Sequence, residues 1–365
     1  MRKTAFFCDG GINMDYIDLI RELSNAKGVS GFEDDAVAVI RKNAPSDVNM
    51  SEDRIRNLYM ERKDNGDKPL VVLDAHTDEV GFIVQRINSN GTMSFLTLGG
   101  IVASNIPAHK VKVLNSEGKW ISGIVAAKPP HFMSAEEKNR MPRVDEMVID
   151  VGATSREEAE QKYGMRIAAP VVFDVDFEMT EDGMTMIGKA FDDRIGCAAQ
   201  LAVMRELEGK DLNVSLTAVF SSQEEVGARG AAAAAPKLCP SIAICFEGCP
   251  ADDTVVSPDQ SQTALGKGPM LRHIDVCMIT NPRFQRYSLD IAEKYGIPVQ
   301  EAVRAGGGTN AASYQKAGAA AIVIGIPVRY AHSHYGFCRR DDFENAVRLG
   351  AALMTELDKE IIDSF

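Results

Sequence analysis

The sequence lacks the features expected of a nucleic-acid-binding or membrane-associated protein. It carries 40 Lys and Arg against 52 Asp and Glu, a formal net charge of −12, whereas binding to nucleic-acid phosphates needs a concentrated basic surface. The same deficit of basic residues disfavours an anionic membrane surface. No apolar run approaches the roughly 18–20 residues that cross a bilayer. We therefore expect neither nucleic-acid nor membrane partners.

Cysteine usage is also sparse. The seven cysteines are odd in number and form no CxxC pair, so neither a disulfide framework nor a cysteine-type zinc site is expected. We interpret them as reduced thiols of a cytoplasmic protein. The N-terminus has a basic start but only a short apolar patch before Asp9, too short for a signal peptide. Residues 1–13 are predicted to be an extension ahead of the first helix.

A chain of 365 residues suggests two domains, at about 150 residues each. Short apolar segments typical of buried strands alternate with segments of helical periodicity. Strands are predicted over 70–73, 214–220, 242–246 and 320–324. Helices are predicted as a pair within 15–42, broken at 28–31, and over 195–207, 226–235, 284–295, 311–317 and 343–362. This alternation predicts an α/β fold, a layered α/β/α domain around a central, mostly parallel mixed sheet.

Residues 81–176 follow a different pattern. The apolar segments 111–114 and 120–125 flank a hairpin-like turn at 115–118, and Gly and Pro are frequent from 99 to 142. We predict a small, mostly β domain at 81–176, inserted into an α/β domain formed by residues 1–80 and 177–365.

Side chains able to bind metals or carry protons follow the predicted strands. They are His76, Glu224, Glu225, Glu247 and His332. Because ligands bind at the carboxyl ends of the strands in open α/β sheets, these residues are expected to converge.

Two acidic pairs allow both a structural and a catalytic interpretation. Asp192 and Asp193 precede a predicted helix, where an Asp can cap free amides or a carboxylate can bridge two cations. Glu224 and Glu225 follow a strand at the predicted start of a helix. They could complement the helix dipole, or one could bind metal while the other acts as general base.

The histidines differ in their surroundings. Asp78 lies two residues after His76 and could fix the tautomer of a ligating imidazole. Of His332 and His334, either could ligate. Three others lack a carboxylate neighbour or a strand-end position and are interpreted as structural or solvated: His109, His131 and His273.

Together the candidates form a donor set of two imidazoles and three carboxylates, without a thiolate. Such a set suits Zn²⁺, Co²⁺ or Mn²⁺. Five ligands, one of them bridging, match a pair of metal ions.

The ordered series of motifs resembles the co-catalytic di-metal aminopeptidases of the glutamyl and tetrahedral aminopeptidase family. The series is His76-x-Asp78, Asp192, Glu224–Glu225, Glu247 and His332. Residues 128–131 and 148–153 also resemble the inserted domain of that family, which is PDZ-like in shape and serves assembly.

The resemblance implies a ligand set. His76 and Glu247 would hold one metal ion, Glu225 and His332 the second, and Asp192 would bridge them. Glu247 departs from the Asp that many members carry, and its side chain is longer.

The resemblance also implies a reaction. Glu224 would act as general base and acid, and Asp78 would orient His76. The implied activity is removal of N-terminal residues from short peptides, with two Zn²⁺ or Co²⁺ ions, or Mn²⁺, per subunit. Dimers would assemble into a homo-oligomer, a dodecamer in many members.

Rival functions share these residues. A di-metal carboxypeptidase or deacylase uses a similar ligand order, and an assembled scaffold without turnover would fit the departure at Glu247. A polysaccharide hydrolase is disfavoured, because Glu224 and Glu225 are adjacent rather than flanking a glycosidic bond. A preference for acidic N-terminal residues would need a cation in the specificity pocket, for which the candidates are Arg272, Arg283, Arg304, Arg329 and Lys267.

Overall fold

The computed structural model describes residues 16–365, so the extension predicted over residues 1–13 lies outside the described residues. The helices are α1 Tyr16–Asn25, α2 Asp34–Lys42, α3 Ala135–Lys138, α4 Arg156–Gln161, α5 Phe191–Glu206, α6 Arg229–Leu238, α7 Pro282–Tyr295, α8 Ala311–Lys316, α9 Arg340–Glu356 and α10 Lys359–Asp363. The strands are β1 Val48–Glu52, β2 Leu58–Arg62, β3 Leu70–His76, β4 Gly81–Ile87, β5 Met93–Leu98, β6 Lys110–Leu114, β7 Trp120–Ala126, β8 Val148–Asp150, β9 Pro170–Phe173, β10 Glu178–Met179, β11 Thr185–Gly188, β12 Ser215–Ser221, β13 Ile242–Pro250, β14 Met270–Ile274, β15 Gln300–Val303, β16 Ala320–Arg329 and β17 Gly336–Arg339.

A large mixed sheet forms the centre of the molecule. Its order is β1-β2-β12-β3-β13-β16-β17-β11-β10, with β14 and β15 joined through β16. The four middle strands, β12, β3, β13 and β16, are parallel to one another. The outer pairs along this order are antiparallel, whereas β14 pairs with β15 in parallel. These middle strands are apolar along most of their length because both of their faces are buried. The predicted mixed α/β architecture is confirmed.

Helices cover both faces of this sheet. One core contains Ile20 of α1, Ile195 of α5 and Leu353 of α9. The opposite core contains Ala231 of α6 and Tyr314 of α8. The small alanine side chains let α6 pack close to the strands, and the resulting arrangement has three layers.

A separate closed barrel, ordered β4-β5-β8-β7-β6-β9, follows β3 in the chain. Adjacent strands are antiparallel, and the predicted hairpin is the pairing of β6 with β7. The barrel has its own core, in which the ring of Phe82 makes edge contacts with Phe95 and Phe173 at centroid distances of 4.8 and 5.3 Å. The prediction of a small, mostly β domain is confirmed.

Several predicted boundaries differ from the structure, and three of them have a clear local cause or consequence. Helix α6 begins at Arg229 rather than at 226, because Gln223 and Ala228 adopt positive φ and the chain turns between them. Strand β13 continues to Pro250, so Glu247 lies within the strand rather than after it. The predicted helix over 343–362 is two helices, since Leu357 is extended and the Asp358 side chain caps α10.

Within residues 16–365, no helix combines the length and apolar content that a bilayer crossing requires.

Candidate active site

The candidate residues meet at the carboxyl edge of the parallel strands. His76 is the last residue of β3, and it pairs in register with Ser221, the last residue of β12. Glu224 and Glu225 follow β12 in a turn, so the helix-dipole interpretation of this pair is wrong. Because parallel strands end at the same edge of a sheet, residues far apart in sequence become neighbours there.

Asp192 lies between two histidines. Its Oδ1 is 3.1 Å from His76 Nε2, and its Oδ2 is 3.2 Å from His332 Nε2. Each histidine also faces an acid of its own. Glu247 Oε1 is 3.6 Å from His76 Nε2, and Glu225 Oε2 is 3.6 Å from His332 Nε2. All five predicted ligand residues therefore lie in one cluster with two halves that share Asp192.

Asp78 lies beneath the cluster. Its backbone carbonyl oxygen lies 3.1 Å from His76 Nδ1, and its Oδ1 lies 3.3 Å from the same nitrogen. The same carboxylate accepts hydrogen bonds from the backbone amides of Glu224 and Glu225 at 2.9 and 3.2 Å, and from Ser30 Oγ at 2.6 Å. Asp78 thus also holds the turn that carries both glutamates, a contact for which the sequence has no signal.

Asp193 has a structural position that sequence reasoning did not separate from that of Asp192. Its carboxylate accepts hydrogen bonds from the backbone amides of His76, Gly196 and Gly248, at 3.1, 3.0 and 2.9 Å. Asp193 can also approach a cation together with His76 and Glu247, but three of the acceptor positions on its two oxygens are taken by these amides. The helix-cap interpretation therefore applies to Asp193, and Asp192 is left to face the histidines.

The cluster concentrates negative charge in a buried place. Among residues 16–365, no Lys or Arg forms an ion pair with Asp192, Glu224, Glu225 or Glu247. Burial raises the pKa of Glu224 to about 8 and that of Glu247 to about 7, although His76 opposes both shifts. The buried Glu225 Oε1 lacks a hydrogen-bond partner. Bound cations would stabilise this concentration of negative charge, and the nitrogen and oxygen donors of the site fit divalent metal ions.

Hydrogen bonding also orients the second histidine. His332 Nδ1 lies 2.8 Å from the carbonyl oxygen of Gly100, which belongs to the segment that follows β5. The hydrogen bond to Asp192 raises the pKa of His332 to about 10.

His334 lies outside the cluster. Its ring stacks on His109 with a centroid distance of 3.1 Å and contacts Phe173 at 3.9 Å. Burial lowers the pKa of His334 to about 3, so it is held in the neutral form. Of the two neighbouring histidines, only His332 faces the acids.

A cavity of about 950 Å³ opens beside the cluster, within the usual size range of ligand pockets. Its walls include Glu224, parts of α6 and α8, and residues 304–309. Of the five cations considered for a specificity pocket, Arg272 and Arg304 line the cavity, whereas Arg283, Arg329 and Lys267 do not. Both lining arginines already have acidic partners, Asp275 for Arg272 and Asp252 for Arg304.

Comparisons with known proteins identify the family of this chain. A family model described as M42 glutamyl aminopeptidase matches residues 56–349. A lysyl aminopeptidase from Pyrococcus furiosus is 31% identical over 353 residues, covering 93% of this chain and 97% of that protein. The TET aminopeptidase of a marine sediment archaeon of the Thaumarchaeota has a TM-score of 0.91 at 34% identity, covering 96% of this chain and 99% of that one. The TET1 peptidase of Pyrococcus horikoshii, which can assemble into a tetrahedron or a large octahedral shell, has a TM-score of 0.85 at 29% identity, covering 94% and 100%. This chain therefore belongs to the M42 glutamyl aminopeptidase family, whose members are peptide hydrolases.

Proposed function

We propose that this aminopeptidase removes N-terminal residues from short peptides at the cluster around Asp192, with the help of two divalent cations. One observation carries the proposal. The two carboxylate oxygens of Asp192 face two different histidines, and each histidine is accompanied by a separate glutamate. A cluster with two halves and a shared carboxylate provides ligands for two ions.

In this proposal His76 and Glu247 would hold one ion, Glu225 and His332 would hold the other, and Asp192 would be shared by both. Zn²⁺ and Co²⁺ are the first candidates, and Mn²⁺ is a third. When bound, the ions would polarise the scissile carbonyl and lower the pKa of a water molecule.

Glu224 is proposed as the residue that moves the proton. It lines the cavity, and its Oε2 lies 3.9 Å from His76 Nε2, next to the ligand pairs but outside them. From there its carboxylate can accept a proton from the attacking water and return it to the amine that leaves. Asp78 orients His76 and fixes the backbone of Glu224, and the Gly100 carbonyl orients His332.

The substrate would enter through the cavity. Its free N-terminal amine would be recognised by acidic groups near the ions, because an ammonium group is attracted to carboxylates. Because its relatives include aminopeptidases, aminopeptidase activity is favoured over carboxypeptidase or deacylase activity. The same relatives favour an enzyme over a scaffold without turnover.

We also propose that the chain assembles into a homo-oligomer through the inserted domain at 81–176, with residues 1–80 and 177–365 forming the catalytic domain. The assembly of the TET1 peptidase into closed shells supports this proposal. The six cysteines among the described residues are free thiols, which supports a cytoplasmic location.

The test uses purified protein, with hydrolysis of amino-acid p-nitroanilides and bound metal measured in parallel. We expect chelation to abolish hydrolysis and Zn²⁺, Co²⁺ or Mn²⁺ to restore it. Glu224→Gln should retain its metal and lose roughly 10²–10⁴-fold in kcat, the usual contribution of a general base. Asp192→Ala should lose both ions. Glu178→Gln, at an exposed position of the sheet edge, is the control and should behave as the unmodified protein.

Three outcomes would contradict parts of the proposal. Full hydrolysis by metal-free protein would exclude a catalytic role for the cations. An active Glu224→Gln variant would show that another residue transfers the proton. Full metal content in Asp192→Ala would show that Asp192 does not bridge the ions. Faster cleavage of N-acylated peptides than of free peptides would favour the deacylase.

A further inference from the structure

A buried carboxylate that takes no part in the proposed chemistry lies directly below His76. Asp74 precedes His76 by two residues in β3, so both side chains point to the same face of the sheet. Asp74 is fully buried. Its Oδ2 accepts a hydrogen bond from Tyr314 Oη at 2.8 Å, and its Oδ1 accepts hydrogen bonds from Ser221 Oγ at 3.1 Å and Asn310 Nδ2 at 2.7 Å.

The three donors come from three different parts of the fold. Ser221 ends β12, Tyr314 belongs to α8, and Asn310 follows the glycine-rich segment 306–309. Asn310 Nδ2 also lies 2.7 Å from Ser221 Oγ, which closes the network. All three donors are neutral, and the hydrogen bonds that they donate stabilise the charge of Asp74. A buried group of this kind is costly unless all its partners are in place, and it therefore favours one arrangement of those partners.

The segment that Asn310 anchors forms one wall of the cavity. Gly306, Gly307, Gly308 and Thr309 all line it. Just before the segment, Arg304 N donates a hydrogen bond to the Ile274 carbonyl at 3.0 Å, and within the segment the Gly307 carbonyl accepts one from Val276 N at 3.3 Å. Apart from this one internal contact, three successive glycines allow the backbone between Arg304 and Asn310 to adopt other conformations.

We propose that Asp74 and Asn310 are positioning residues that tie the glycine-rich wall of the cavity to the strand carrying His76. Through this pair the wall keeps a constant distance from the cation cluster, so that a peptide seated against segment 306–309 has its first carbonyl in reach. The inference rests on the proposed aminopeptidase function, and it concerns residues outside the ligand set.

The pair suggests a swap experiment. Asn310→Asp places two carboxylates 2.7 Å apart and removes the amide donor, whereas Asp74→Asn with Asn310→Asp restores one amide and one carboxylate in exchanged places. We expect Asn310→Asp to raise KM roughly tenfold, the scale of one lost buried hydrogen bond, with a smaller change in kcat and with metal content unchanged. The swapped double variant should recover most of the original KM. Tyr314→Phe, which removes one donor and keeps the ring, should give a smaller rise, and exposed Asn139→Asp is the control.

A second measurement does not depend on hydrolysis. Trypsin can cleave after Arg304, at the start of the glycine-rich wall, and mass spectrometry follows the rate. We expect faster cleavage there in Asn310→Asp than in the unmodified protein and a return to the original rate in the swapped variant. Unchanged cleavage and unchanged KM in Asn310→Asp would overturn the inference, and so would a swapped variant no better than the single one. If the unmodified protein shows no peptide hydrolysis with any added metal, the proposed function fails, and the cleavage rates still decide on the positioning pair.

Discussion

Cys277 is an exposed thiol on the wall of the cavity, whereas Cys197, Cys245, Cys249 and Cys338 are buried. Its Sγ lies so close to Gly308 that a Cβ at position 308 would come within 2.8 Å of it. We expect alkylation by iodoacetamide to narrow the cavity, which should raise KM several-fold while bound metal stays in place, because no thiol belongs to the proposed ligand set.

Two variants separate this effect from alkylation elsewhere. Cys277→Ser should be resistant to the reagent. Cys239→Ser, which removes another exposed thiol, should remain as sensitive as the unmodified protein. Equal inhibition of Cys277→Ser and the unmodified protein would show that the sensitive site is not Cys277.

Glu247 illustrates how one residue depends on its place in a strand. It lies within β13, and the next residue, Gly248, must be small because a Cβ there would be 2.4 Å from the Phe191 carbonyl oxygen. This close approach brings the start of α5, with Asp192, next to Glu247. The longer glutamate side chain then reaches to 3.6 Å from His76 Nε2.

At the scale of elements, the contact between β17 and the barrel depends on a neutral histidine. His334 precedes β17, is 3% exposed, and stacks on His109 just before β6. Burial lowers the pKa of His334 to about 3, below the ordinary value near 6.5 that it has in the unfolded chain. Between these two values the unfolded chain binds the extra proton, so the free energy of unfolding falls as the pH decreases below about 6.5.

We expect this loss to reach about 1.4 kcal/mol per pH unit for one such proton. Urea unfolding at pH 7.5 and pH 5.0, with chelator present so that metal release does not contribute, measures it. His334→Gln should be less sensitive to acid than the unmodified protein, and His131→Gln, at an exposed position, should be equally sensitive. The same acid sensitivity in His334→Gln would show that the stacked histidine does not determine it.

At the scale of the whole molecule, the inserted segment exposes large apolar side chains that a homo-oligomer could cover. Phe132 is 72% exposed, and Met141, Leu96 and Ile124 are at least half exposed. Apolar side chains of this size on a surface often mark an interface.

We expect sedimentation velocity to give a particle mass that is a multiple of 39.7 kDa. Phe132→Glu should shift the distribution toward smaller particles, because a buried charge without a partner destabilises an interface. Val255→Glu, at a similarly exposed valine on the other domain, is the control. A monomer, or an unchanged mass distribution in Phe132→Glu, would argue against assembly through this surface.

Much of the fold could be predicted because the local signals agree with it. Strands β3, β12, β13 and β16 are apolar along most of their length, as both faces of each strand are buried. The start of α6 could not be predicted, because it depends on positive φ at Gln223 and Ala228, residues that carry no turn signature. The break before α10 depends on a side-chain cap by Asp358.

The sequence by itself determined which side chains could meet, since acids and histidines that follow parallel strands arrive at one edge of the sheet. Only the tertiary structure decided which of these side chains face one another and which bind elsewhere. Asp193 is bound to three amides while the neighbouring Asp192 faces two histidines, and His334 stacks in the barrel contact while His332 faces the acids. Neighbours in sequence differ here because backbone torsions aim their side chains in different directions, and the partners that each side chain finds there, such as His76 for Asp193 and His109 for His334, come from distant parts of the chain.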